Sequence, residues 1–307
     1  MKNKSLRKFL SALALPAGKL LRLTGILPPQ IILKVDGGIS SQMYFYLIGE
    51  HLRRRSGIPV SYDLIWFDEV GKDIDNKQIR NFDLLRLFPD LPLPKADNSW
   101  RTRLYRLLYT HEQDWNQPQE SWENLCAPAY LTGYYQAEDA LYSQIPKIFQ
   151  PNPTDASEKD IALAGKISGM NHAVGIHVRR GDLARYLPAY GNPASTGYFN
   201  KAIRLLIDKY GESTEFFIFS DDHQWVEKEL MPALPPATYH PLKGNGADKG
   251  YIDLWLLSKC RHFIASAGSF GKFAALLNPG HGDVIIYDTP EARGWKNRIE
   301  GVTLIGD

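Results

Sequence analysis

Three polar clusters follow apolar runs in the second half of the chain. Arg179-Arg180-Gly181-Asp182 comes after Ala173 to Val178, Asp221-Asp222 after Glu215 to Ser220, and Gly268-Ser269-Phe270-Gly271 after His262 to Ser266. Adjacent arginines offer forked, permanently charged donors suited to a diphosphate, which the point charge of a lysine matches less well. A Gly-Ser-Phe-Gly turn that opens a helix presents free N–H groups and the positive end of the helix dipole, a setting that favours phosphate. A carboxylate, Asp221 or Asp222, can accept hydrogen bonds from the N1–H and N2–H2 edge of guanine, a pattern that adenine lacks. Each cluster also has a plainer use: Arg-Arg in a surface ion pair, Asp-Asp as a helix cap, a short glycine pattern as chance. Their common placement joins them, because ligands of open α/β sheets bind outside the carboxyl ends of the strands. Together they describe a nucleoside diphosphate pocket with no metal.

The elements that must position these clusters are read from short apolar runs alternating with longer helical patterns, the signature of an α/β fold with parallel sheets. In the first half, Ile31 to Val35 reads as a strand, Asp36-Gly37-Gly38 as a turn, Gln42 to about Arg55 as a helix, and Val60 to Phe67 as a second strand. Aromatics scattered over residues 68 to 150 fit the packing of an irregular helical region or stacking against a sugar ring. Pro151-Asn152-Pro153-Thr154-Asp155 collects helix breakers and turn formers and is taken as a linker. Beyond it come a helix near Glu158 to Met170, strand Ala173 to Val178, helix Tyr198 to Tyr210 and strand Glu215 to Ser220. A helix from about Tyr251, strand His262 to Ser266, helix Gly271 to Leu277 and strand Asp283 to Tyr287 complete the series. The expected organisation is a basic segment 1–30, an α/β domain 31–150 and a second α/β domain 151–307.

A length of 307 residues suits two domains, and 44% hydrophobic with 12% aromatic residues excludes disorder, collagen and coiled coil. The net charge of +2 is too small for a nucleic-acid binder, but it is unevenly placed. Residues 1–35 hold seven Lys or Arg and no acid, leaving 29 basic against 34 acidic residues elsewhere, a net of −5. Those basic residues interleave with Leu6, Phe9, Leu10, Leu13, Leu20, Leu21 and Leu23. The segment can be read as a signal peptide interrupted by Pro16, Lys19 and Arg22, as an interfacial helix on anionic lipid, or as a basic helix packed on the fold's own surface. No apolar run reaches the ~20 residues needed to span a bilayer. Cys126 and Cys260 offer neither a disulfide framework nor zinc spacing, so a reducing cytoplasm is the expected compartment, and the interfacial reading would place residues 1–25 peripherally on the inner membrane face.

With these residues in place, a resemblance emerges. His177-Val178-Arg179-Arg180-Gly181-Asp182, Phe217 to Asp222 with Trp225, Asp253-Leu254, Cys260 to Ile264, Ser269-Phe270 and Phe273 to Asn278 resemble the α-1,2-fucosyltransferases of glycosyltransferase family 11. Gly37-Gly38-Ile39-Ser40-Ser41-Gln42-Met43 is similar to that family's glycine-rich opening motif. The resemblance implies a GT-B-like fold of two Rossmann-like domains facing a cleft, the first for the acceptor and the second for GDP-fucose. It implies metal-independent, inverting transfer of L-fucose from GDP-β-L-fucose to the 2-hydroxyl of a galactose-type residue, with no cofactor. By position, Arg179 would neutralise the departing β-phosphate and His177, with Arg180, would line the donor pocket. Asp222 or Asp221 would address guanine, and Gly268, Ser269 and Phe270 would complete the phosphate cradle. Gly37, Gly38 and Gln42 would face the acceptor. The acceptor hydroxyl must lose a proton; Asp182 is the nearest base by motif, with Asp36, Glu50, His51 and Asp68 as further candidates. The chain departs from the family pattern at Ser40-Ser41, Ala267-Gly268 and Gly271-Lys272-Phe273. Another linkage, another GDP-sugar, or a non-catalytic sugar- or nucleotide-binding protein are the alternative readings.

Overall fold

A computed structural model describes residues 20–21, 23–72, 79–113, 121–180, 193–246 and 248–307. The chain divides into two compact units. One comprises the described residues up to Gly37 with Ser41–Gly71 and Pro92–Glu138; the other comprises Gly38–Ser40, Lys72–Leu91 and Asp139–Asp307.

The first unit is built on strands β1 (Ile31–Lys34), β2 (Val60–Asp63), β3 (Thr110–Gln113) and β4 (Ala129–Gly133), with helices α1 (Ile39–Ser56) and α2 (Trp100–Leu108). The sheet order is β2-β1-β4-β3, and every pairing is parallel. β1 and β2 lie wholly or almost wholly buried; in β1 this shows as the apolar run Ile31-Ile32-Leu33, while β2 also buries Ser61 and Asp63. The strand expected over Val60 to Phe67 ends at Asp63, whose Oδ1 accepts from Ile65 N at 3.0 Å and turns the chain into a short helix, Ile65–Glu69. β3, with the sequence Thr-His-Glu-Gln, carries no apolar alternation and lies at the sheet edge, so periodicity does not announce it.

The second unit carries α3 (Glu158–Ser168), β5 (Ala173–Val178), α4 (Thr196–Tyr210), β6 (Glu215–Ser220), β7 (Thr238–Pro241), α5 (Gly250–Leu257), β8 (His262–Ala265), α6 (Phe270–Leu277), β9 (Val284–Tyr287) and β10 (Val302–Ile305). Its six-stranded parallel sheet runs β10-β9-β8-β5-β6-β7. β5 and β6 occupy the residues expected, pairing Ala173 with Glu215 through Val178 with Ser220. Helix starts follow their caps: Ser157 and Asp160 form a reciprocal capping box on α3, and Ser195 accepts from Gly197 N and Tyr198 N on α4. α4 buries Tyr198, Phe199, Ala202, Ile203 and Leu206 against Val174, Ile176, Phe216 and Ile218 of the sheet. Two edge strands, β7 and β10, add to those expected from the sequence; both are partly exposed and short.

The stretch 151–155 lies inside the second unit and does not bound it. Asn152 N donates to Leu87 O at 2.8 Å, and Asp155 Oδ2 accepts from Arg86 at 3.0 Å and from Tyr251 Oη at 2.5 Å. Helix breakers there shape a turn that is tied down by hydrogen bonds. The basic segment 1–30 falls largely outside the described residues. Among the described residues, no helix is long and apolar enough to cross a membrane, and both cysteines are free.

Candidate functional site

β5, β6 and β8 are neighbours, so the loops that follow them meet at one end of the second sheet. The meeting is made by specific bonds. Arg179 N donates to Ser266 Oγ at 2.7 Å, joining the ends of β5 and β8. Arg180 N donates to Asp221 Oδ1 at 2.9 Å, joining β5 to β6. The other oxygen of Asp221 pairs with Arg179 Nη1 at 2.8 Å, with side chains 18% and 13% exposed for the arginine and the aspartate. This charge-assisted contact holds the guanidinium at the sheet's end, where it still meets solvent. Ser266, 1% exposed, is a positioning residue that sequence reasoning missed; it lies inside the expected strand.

Arg180 takes a separate position. Its guanidinium lies 3.8 Å from the Trp225 ring centroid, and Nη1 donates to Ala194 O at 3.3 Å. Burial pulls its pKa below the usual arginine value, against the neighbouring Asp222 and Asp221. Asp222 Oδ1 caps the turn His223–Trp225, accepting from Trp225 N at 2.9 Å. The two aspartates are therefore distinct: Asp221 orders the arginines and Asp222 orders a helical turn.

His177, 7% exposed, stacks on Phe270 at a centroid distance of 5.1 Å and 26° between planes. Its Nδ1 is buried without a hydrogen-bond partner. Burial, the largest cause, pushes its pKa down to about 3; Asp221 opposes the shift, while Arg179 and Lys272 add to it. At neutral pH the ring is uncharged, and among the described residues the cations that follow β5 are Arg179 and Arg180.

α6 starts at the same place. Ser269 is its N-cap residue, and its side chain makes no capping hydrogen bond; the first N–H groups of a helix have no intrahelical partner and can serve an external acceptor. Gly268 has φ +87°, a conformation L side chains rarely adopt, and it turns the chain from β8 into this helix. At Gly271 a Cβ would come 2.8 Å from His177 Cβ and 3.0 Å from Ala265 Cβ, so the helix meets the sheet with no space for a side chain. His177, Arg179, Arg180, Asp221, Asp222, Gly268, Ser269 and Phe270 are thus brought to one end of one sheet. Asp182 lies outside the described residues.

The residues expected on the acceptor side sit at the end of β1. Gln42 is fully buried, and its Nε2 donates to Gly37 O at 3.1 Å, closing the turn onto α1. Gly38 stands beside Arg80, whose Nη1 would be 3.7 Å from an added Cβ. Asp36 accepts from Tyr134 Oη at 2.9 Å, and burial raises its pKa. Glu50 is held by Arg53 at 2.7 Å, and His51 packs edge-on to Trp122 at 4.6 Å with its pKa lowered by burial. Asp68 is exposed on the helix Ile65–Glu69.

The family model for glycosyl transferase family 11 matches residues 93–302, and the chain belongs to that family. It is 36% identical over 110 residues to the mouse galactoside 2-alpha-L-fucosyltransferase Sec1, covering 35% of this chain and 29% of that one. It is 23% identical over 287 residues to an alpha-1,2-colitosyltransferase of Escherichia coli, covering 88% and 93%. The fold is shared with the crystal structure of fucosyltransferase NodZ from Bradyrhizobium: TM-score 0.50 at 13% identity, covering 82% of this chain and 93% of that one. That likeness shows a GT-B-type α/β fold.

Proposed function

We propose that this chain transfers L-fucose from GDP-β-L-fucose to the 2-hydroxyl of a galactose-type residue in a glycan, with inversion and without a metal ion. One observation carries the reading: Arg179, held by Asp221 and Ser266, stands beside the uncapped start of α6 in a family 11 chain. Inverting transfer builds negative charge on the departing diphosphate. Fixed cations and oriented N–H groups stabilise that charge without reorganising. Arg179 is assigned to the leaving phosphate, and Arg180 and the Gly268-Ser269-Phe270 turn to the rest of the diphosphate. Asp182 is assigned to take the acceptor proton.

A cleft at the ends of β6 and β7, lined in part by Ser220, His223, Leu242 and Lys243, adjoins Asp222. We assign it the guanine base, with Asp222 offering the carboxylate, because Asp221 is already engaged by both arginines. Gly37, Gly38 and Gln42 are assigned to the acceptor side.

A second reading keeps the mechanism and changes the sugar. The E. coli colitosyltransferase aligns over 88% of this chain, so a donor carrying colitose is the specific competitor. The deciding experiment offers GDP-fucose and GDP-colitose with galactose-terminated acceptors in EDTA and identifies the product linkage by NMR. An α-1,2-fucosylated product made in chelator is expected. Transfer from neither donor, by protein that GDP stabilises against heat, would make this a binding module instead.

The peripheral membrane contact is also a proposal. It is supported by the seven basic residues without an acid in residues 1–35 and by the 61%, 78% and 45% exposure of Leu20, Leu23 and Ile26. Removal of residues 1–25 is expected to abolish co-sedimentation with anionic vesicles. Unchanged co-sedimentation would remove the proposal.

A further inference from the structure

One residue of α6 contradicts its surroundings. Lys272 is fully buried, in the first turn of a helix whose positive end already disfavours a cation. Its Nζ pairs with Glu291 Oε2 at 2.5 Å, and Glu291 Oε1 accepts from Trp295 Nε1 at 2.7 Å. The ammonium lies 5.1 Å from the Trp295 ring centroid. That ring in turn packs edge-on against Phe273 and Tyr142, which also meet each other edge-on. Arg298 lies over Tyr142 at 4.7 Å and is bound to Asp139 at 2.7 Å. An apolar side chain suits such a shell, and replacing a buried ion pair by well-packed apolar groups is often neutral or stabilising. Stability alone therefore does not account for the pair.

Direction does. The first turn of α6 is pressed against the sheet on one side, where Gly271 leaves no space above His177 and Phe270 stacks on its ring. On the other side its one ionic contact is Lys272 to Glu291, which stands just before the turn Ala292–Asn297. Hydrophobic contact is non-directional; the Lys272–Glu291 pair adds one contact with a fixed direction.

We propose that Lys272 is a positioning residue: paired with Glu291, it fixes the angle at which the N–H groups of Ser269, Phe270 and Gly271 meet the donor's diphosphate. The assignment rests on the donor reading above. It concerns binding of the nucleotide and leaves the acceptor untouched.

The test compares wild type, Lys272→Met and the double variant Lys272→Met/Glu291→Gln by thermal unfolding, GDP titration and steady-state kinetics. Lys272→Met is expected to lower the Tm, because Glu291 loses its cation. The double variant is expected to recover the wild-type Tm while its Kd for GDP stays at least fivefold weaker, with acceptor KM unchanged. A double variant with wild-type Tm and wild-type GDP affinity would overturn the assignment, making the pair structural only. Wild-type protein that fails to bind GDP would instead overturn the donor reading, and this assignment with it.

Discussion

Each unit places an aspartate–arginine pair at the carboxyl end of a parallel strand, and the two pairs have opposite fates. In the first unit Asp63 ends β2; its Oδ2 accepts from Arg106 at 2.7 Å and from Tyr130 Oη at 2.8 Å, while Oδ1 takes Ile65 N. The pair is closed over by a tyrosine and a helix. In the second unit Asp221 follows β6 and pairs with Arg179 at 2.8 Å, but what lies beside it is the uncapped start of α6. The same chemistry is structural where a tyrosine and a helix close over it and a candidate site where it adjoins a helix start with no side-chain cap. The pair alone does not reveal the difference; the adjoining helix terminus does.

Breaking the two pairs separates the roles. Arg179→Ala is expected to lower transfer by roughly 10²–10³, the cost of about 2.7–4 kcal/mol typical for one preorganised charge-stabilising donor, with Arg179→Lys retaining a small part. Acceptor-dependent GDP release measures it, and near-normal turnover by the alanine variant would remove Arg179 from the reaction.

The next effect is a pH dependence to which two buried histidines of the second unit contribute most. Burial pushes His177 down to about 3 and His262 down to about 4. The unfolded chain binds imidazole protons near pH 6.5 that the folded chain refuses until those lower values. Stability is therefore complete above about 6.5 and falls as pH drops through the window, on the order of 3 kcal/mol for His262. Asp83, pushed up to about 6 by burial, acts the other way between about 6 and 3.8 and offsets part of the loss. Urea midpoints measured between pH 7 and 4.5 should fall, and His262→Gln should flatten the curve. A wild-type midpoint independent of pH would contradict the burial of both rings.

Asp63→Asn should cost about 2 kcal/mol of stability by weakening a buried charged network, while leaving GDP affinity unchanged. Weakened GDP binding by a folded Asp63→Asn protein would erase the contrast between the pairs. The smallest effect is a gain. Gly165 lies within α3 with nothing within 4 Å of an added Cβ, so Gly165→Ala should stabilise by about 0.5–1 kcal/mol in thermal unfolding.

The second unit was the more legible of the two, for a physical reason. β5 and β6 are buried along nearly their whole length and read as continuous apolar runs, and the polar residues that follow them are the ones the structure brings together. The partners of those residues were not legible. Ser266 looks like a strand residue, and Lys272 with Glu291, 19 positions apart, carries no spacing signal. Asp221 and Asp222 could not be told apart in sequence because their difference is one of direction: one faces the arginines of β5, the other caps the turn after β6. In the first unit, edge strand β3 and the short helices gave no periodicity, and residues 151–155 read as a linker because a hydrogen-bonded turn and a flexible one use the same residues.

The central claim is that the donor's diphosphate is held where β5, β6 and β8 end in the second unit. Hydrogen exchange with and without saturating GDP tests it most directly. Added protection is expected in peptides covering 177–180, 220–225 and 266–273, with those covering 31–38, 60–65 and 129–134 of the first unit unchanged. Protection confined to the first-unit peptides, or none anywhere at saturating GDP, would contradict it.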